Sequence, residues 1–138
     1  MTSMRPYSGV LGRLKTVGLR PTRQRLALAK LLFEGEERHV TAEQLHSEAQ
    51  DANIKVSLAT VYNTLHQFTE VELLREVVVE PGRSYFDTNI SEHHHFFHED
   101  ECELTDIPAE ALSVDDLPEA PAGTEVKRVD VIIRLKTS

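Results

Sequence analysis

Four of the chain's seven histidines fall within six positions, in the run His93-His94-His95-Phe96-Phe97-His98, and Glu99-Asp100-Glu101 follow directly. Imidazole nitrogen is a good ligand for iron and zinc, and carboxylates beside it suit harder ions such as manganese. If the run is extended, His93 and His95 project to one side and His94 to the other, because side chains alternate along a strand. Haem is a further candidate, with His93, His94 or His95 as its axial ligand. The pair Phe96-Phe97 is expected in a core rather than against a macrocycle, since apolar residues beside a polar strand normally face inward. A histidine tract alone is a weak sign of metal binding, and an exposed polar stretch has the same composition. Hydrolysis at these groups needs an open coordination position and a placed general base. No HExxH pair occurs in the chain, so a metal-dependent hydrolase stands only as the alternative of another class, and no catalysis is expected.

A second group of residues suits a different task. From Ser57 to Glu70, helical spacing puts Leu58, Val61, Leu65 and Phe68 on one side. Ser57, Thr60, Asn63, Thr64 and Gln67 lie on the other, with Tyr62 at the border and no acid before Glu70. Such a face offers donors and acceptors to base edges and nothing that repels phosphate. A merely solvated polar face looks the same in isolation. The net charge of −8 speaks against nucleic acid until the chain is divided. Residues 1–33 hold seven basic side chains (Arg5, Arg13, Lys15, Arg20, Arg23, Arg25, Lys30) and no acid, whereas from Glu76 onward fifteen acids face five bases. A basic front part gains affinity for duplex DNA by counterion release, and an acidic rear part suits cations.

The elements that must carry these groups are readable as patterns. Val10, Leu11, Leu14 and Val17 recur at helical spacing before Gly18. Thr22 caps a second helix through Leu26, Ala29, Leu32 and Phe33. Thr41-Ala42-Glu43-Gln44 forms a capping box ahead of the apolar face Ala42, Leu45 and Ala49. After the helix capped by Ser57, the run Arg75–Glu80, a turn at Pro81-Gly82 and a return through Ser84–Asp87 predict a hairpin. Helices followed by a hairpin give a winged helix-turn-helix over residues 1–88. Residues 89–138 are expected to form an α/β domain for dimerisation and sensing, with a strand over His95–Asp106, a short helix over Pro108–Leu117 and a loop at Pro118–Gly123. A strand with one buried face follows, through Val129, Val131, Ile133 and Leu135. The fold class is therefore α+β. So small a rear domain has a thin core, and a second copy is expected to supply the missing burial. The single Cys102 excludes an intrachain disulfide and suits a reducing compartment. Without a long apolar run or an apolar leader, no membrane partner is expected, and a cytoplasmic place is.

Four blocks in order carry a resemblance across nearly the whole chain: residues 18–25 (GLRPTRQR), residues 39–43 (HVTAE), residues 57–65 (SLATVYNTL), and Phe86-Asp87 before the histidine run. In these the chain resembles the ferric uptake regulator family. The resemblance implies a dimeric, iron-responsive transcriptional regulator that binds operator DNA, with a sensory metal (iron, manganese or zinc) held between its two domains. Residue by residue it implies His39, Asp87, His93, His95 and Asp106 as ligands. It also implies Tyr62 and Asn63 at bases with Ser57 and Thr60 on the same helix, Lys15 at the minor groove, and Arg20, Arg23 and Arg83 at phosphates. Most relatives carry two CxxC pairs for structural zinc. His98 and Glu101 stand where the first would be and no second exists, so no structural zinc is expected. Asn63 replaces the usual arginine, which implies a different operator, since asparagine pairs with adenine and arginine with guanine. The cysteine-poor chain with three consecutive histidines is similar to the haem-responsive iron response regulator branch. A peroxide sensor of the same family shares the five-ligand pattern and is the alternative within it.

Overall fold

A computed structural model describes residues 8–138; Arg5, counted in the basic front part, lies outside the described residues. The chain divides into two compact units, Met1–Ile90 and Ser91–Ser138. In the first, α1 (Ser8–Thr16), α2 (Arg23–Phe33), α3 (Ala42–Asp51) and α4 (Leu58–Glu70) precede the hairpin β2 (Arg75–Glu80) and β3 (Arg83–Asp87). A two-residue strand, β1 (His39–Val40), was not evident from the sequence. It pairs antiparallel with β3, so that the sheet order is β1-β3-β2 and His39 stands opposite Asp87.

Local chemistry sets the helix ends. Thr22, Thr41 and Ser57 each accept a bond from a backbone N–H of the first turn, and Gln44 completes the capping box with the Thr41 amide. At the end of α1, Leu19 N–H reaches Leu14 O at 2.9 Å and Gly18 N–H reaches Lys15 O at 3.1 Å, with Gly18 at φ +79°. This is the left-handed close that glycine accepts without strain. The same pair of bonds ends α4 through Leu73 and Glu72, although Glu72 carries a side chain at φ +63°. One core cluster fills the unit. Leu14, Leu28, Leu32, Leu45, Val61, Leu65 and Phe68 are all fully buried in it, and Phe86 joins them from β3.

The face of α4 differs from expectation at Thr64, which is buried. Val61, Thr64, Leu65 and Phe68 fall at i, i+3, i+4 and i+7, and a core-facing stripe of that width takes in the i+3 position whatever its polarity.

The second unit is a three-stranded sheet in the order β5-β4-β6, built from β4 (His94–His98), β5 (Glu103–Ile107) and β6 (Ile132–Leu135). The single strand expected over His95–Asp106 is an antiparallel pair, with a turn between residues 98 and 103. The acidic run Glu99-Asp100-Glu101 cannot stay in a half-buried strand, and Cys102 turns the chain at φ +52°. The helix expected over Pro108–Leu117 is one 3-10 turn, Ala109–Ala111. Beyond it Leu112 is extended, and the Ser113 hydroxyl bonds the Asp115 carboxylate at 3.0 Å, a local bond that competes with helix. β6 runs parallel to β4. It does not show the single buried face expected of it, because Ile133 is 38% exposed. Phe97, Leu104 and Ile107 are the buried apolar residues of this unit.

Candidate functional site

The alternation along β4 sorts the histidines. His93, His95 and Phe97 are buried, whereas His94, Phe96 and His98 are partly exposed. Pairing of β4 with β5 places Asp106 opposite His95 and Leu104 opposite Phe97. The two rings lie with centroids 4.5 Å apart. Both present Nε2 to one oxygen of Asp106, at 3.2 Å from His93 and 3.4 Å from His95.

The tautomer of His93 decides what this convergence means. Its Nδ1 is 2.7 Å from Ser91 O, and a carbonyl only accepts, so Nδ1 carries the proton. In the neutral ring Nε2 then turns a lone pair toward the Asp106 carboxylate, which is repulsive unless a cation or a proton lies between. Ligands about 2.1 Å from one ion stand roughly 3.0–3.4 Å apart for octahedral to tetrahedral angles, and the observed separations fall in that range. A backbone carbonyl on the far nitrogen is also the usual support of a metal-bound imidazole. The donor set therefore fits a divalent cation. The side chain of Asp106 is 44% exposed while the two rings are almost wholly buried, which leaves a route from solvent on the carboxylate side.

The first unit holds a second pair of the same kind. His39 Nε2 is 3.3 Å from Asp87 Oδ2, and the side chain of Asp87 is 1% exposed. The other oxygen, Oδ1, accepts from Asn89 N–H at 2.9 Å. A buried carboxylate needs such partners. His94 is used differently: its Nδ1 accepts from Val131 N–H at 3.0 Å. Its neutral ring is thus protonated at Nε2, the reverse of His93. His98 bonds Thr105 Oγ1 at 3.1 Å across the β4–β5 pair.

The residues assigned to DNA sit in the first unit. Lys15 on α1, Arg20 before α2, Arg23 at its start and Asn63 on α4 are exposed. The Ser57 hydroxyl caps α4 and also bonds Thr60 Oγ1 at 2.9 Å. Arg83, at the wing, pairs with Glu80 at 3.3 Å. Gln67 is not a free polar group of the outer face: its Oε1 accepts from both Nε and Nη2 of Arg25, at 3.2 and 3.0 Å. Arg25 also donates to Arg20 O at 2.8 Å, tying α4 to the loop before α2. The Tyr62 hydroxyl donates to Glu43 at 2.8 Å, and this bond, with the nearby carboxylate charge, raises the tyrosine pKa above its ordinary value near 10.0. The sequence gives no role to Ser91, counts Arg25 only among the bases of the front part, and places Glu43 only within the capping-box segment. Ser91 acts through its backbone, and the other two meet partners 42 and 19 positions away.

The model of the ferric uptake regulator family matches residues 16–133. The ferric uptake regulation protein of Shigella flexneri is 38% identical over 82 residues, 59% of this chain and 55% of that protein. The matched stretch thus spans little more than half the length of that relative. Among solved structures, the ferric uptake regulator of Pseudomonas aeruginosa with manganese superposes with a TM-score of 0.69 at 23% identity, over 92% of this chain and 96% of that one. The Vibrio cholerae ferric uptake regulator gives 0.70 at 23%, over 91% and 98%. At these identities the two structures show the shared fold.

Proposed function

Since the chain belongs to the ferric uptake regulator family, we propose that it is a metal-responsive regulator of transcription that binds duplex DNA as a homodimer. The observation that carries this reading is the convergence of His93 and His95 on one oxygen of Asp106. Iron, manganese or zinc fits the donor set, and His39 and Asp87 complete the proposed ligands.

A divalent cation would be held by these residues and would supply positive charge opposite their carboxylates. The protein's own part is orientation. Ser91 O holds the His93 ring with Nε2 inward, Asn89 N–H holds the Asp87 carboxylate, and the two aspartates neutralise the charge. In the first unit, α4 presents Tyr62 and Asn63 to bases in the major groove, with Ser57 and Thr60 at its leading end. Lys15 approaches the minor groove, and Arg20, Arg23 and Arg83 approach phosphates. Leu117, Val126 and Ile133 are 45%, 52% and 38% exposed in a unit with few buried apolar residues, which supports pairing with a second copy. Among the described residues no helix is long and apolar enough to cross a membrane.

The test is duplex binding at one stated salt concentration by metal-free, manganese-loaded and haem-loaded protein. A metal effect of about fivefold or more is expected. Binding that no metal or haem alters overturns the sensing reading, and no retention of duplex at low salt overturns the whole. The histidine run also supports the iron response regulator branch, with haem as effector. For that role His94 is the weaker axial ligand, because Val131 N–H occupies Nδ1 and leaves the proton on Nε2. A Soret shift on adding haem, lost in His93→Ala or His95→Ala and kept in His94→Ala, is the expected signature.

A further inference from the structure

Glu43 poses a physical problem that the DNA reading does not absorb. It is an exposed acid in the first turn of α3, bonded to the side chain expected to meet bases. Negative charge there repels phosphate and weakens binding to every sequence. The helix N-terminus accounts for an acid at that position, but not for its bond to Tyr62.

The tyrosine is held at both ends. Its ring stacks on His66 with centroids 6.4 Å apart and planes 18° from parallel. His66 in turn meets buried Phe86 edge-on at 5.6 Å. At the far end the hydroxyl donates to Glu43 at 2.8 Å. A phenol has one proton to donate, and here it is spent within the protein. What remains outward is an oxygen that accepts, on a ring whose direction is set beforehand.

Resting on the proposal that α4 enters the major groove, we infer that Glu43 is a positioning residue for base reading. By accepting the Tyr62 hydrogen bond it makes Tyr62 an acceptor toward DNA, selective for edges that donate, the N6 amine of adenine or the N4 amine of cytosine. Guanine O6 and N7 and thymine O4 only accept, so a hydroxyl that has already given its proton does not bond them. The repulsion from the carboxylate lowers affinity for all duplexes, and the fixed polarity of the hydroxyl sharpens the difference among them.

The test uses the full chain and a duplex that the wild-type protein enriches from a random pool, with every base pair then varied singly at fixed salt. Tyr62→Phe is expected to relax preference by roughly fivefold at one position, the scale of a single hydrogen bond. Glu43→Ala should relax the same position by a similar factor, and the double variant no further, since the two act as one unit. Glu43→Gln, whose amide oxygen still accepts, should keep the preference while binding unrelated duplex more tightly. Tyrosinate absorbance gives a readout independent of DNA: in Glu43→Ala the high-pH component should return toward the ordinary value. Unchanged base preference in Glu43→Ala, or additive losses at separate positions, overturns the inference alone. A wild-type protein that enriches no duplex overturns the DNA reading and this inference together.

Discussion

At the scale of single residues, the chemistry turns on where protons sit. His93 and His94 are neighbours with opposite tautomers, one set by Ser91 O and the other by Val131 N–H. Only the first, in its neutral form, turns an unprotonated Nε2 toward Asp106. Replacing Asp106 with asparagine keeps the shape and removes the charge. Manganese affinity, measured by calorimetry, should fall by at least about tenfold, the loss seen when even an outer partner of a metal-bound imidazole is removed. Tyr62 gives a prediction in pH. Its pKa is raised by Glu43, so the protonated tyrosine is favoured in the folded state. The stability this contributes is fully present below pH 10 and is lost as pH rises through the raised value. Urea unfolding of wild type and Tyr62→Phe should therefore differ most below pH 10 and converge above it. The histidine run stands out in the sequence by composition and spacing, whereas Asp87 and Asp106 enter as candidate ligands only through the resemblance to the family. The Glu43–Tyr62 and Arg25–Gln67 bonds could not be read there, because nothing in local spacing says that α3 and α2 pack beside α4.

Elements were legible where a cap and an apolar stripe agree. Thr22, Thr41 and Ser57 are each followed by a helix with a buried face, and the Pro81-Gly82 turn reverses β2 into β3 as its residues require. The sequence was misleading where polar residues interrupt the pattern. Glu99–Cys102 broke one expected strand into two, and Ser113 with Asp115 stopped a helix after one turn. β1 is too short to show any period and exists because β3 offers it an edge. The end of α4 carries its own prediction. Glu72 occupies a left-handed position, which costs a residue with a side chain about 1–2 kcal/mol. Glycine removes that cost but loses roughly 0.5–1 kcal/mol in chain entropy. Glu72→Gly should accordingly stabilise the protein by about 0.5 kcal/mol in urea unfolding.

For the molecule as a whole, the two units are unequal in core. The first buries a continuous cluster from Val10 to Phe86, whereas the second buries Phe97, Leu104 and Ile107 and leaves Ile133 exposed on β6. If a second copy covers that surface, Ile133→Arg should shift sedimentation from dimer toward monomer at micromolar concentration, and duplex affinity should fall with it. An unchanged dimer places the pairing surface elsewhere. The meeting of β4 with β5 has a consequence that extends to the whole chain. Asp106 faces both rings only because it stands opposite His95. Sliding one strand past the other by a single residue would carry the carboxylate to the far side of the sheet. If the proposed cation binds there, its capture would be a check on correct assembly: a copy with misaligned strands would lack the site, and only properly folded molecules would compete for scarce metal.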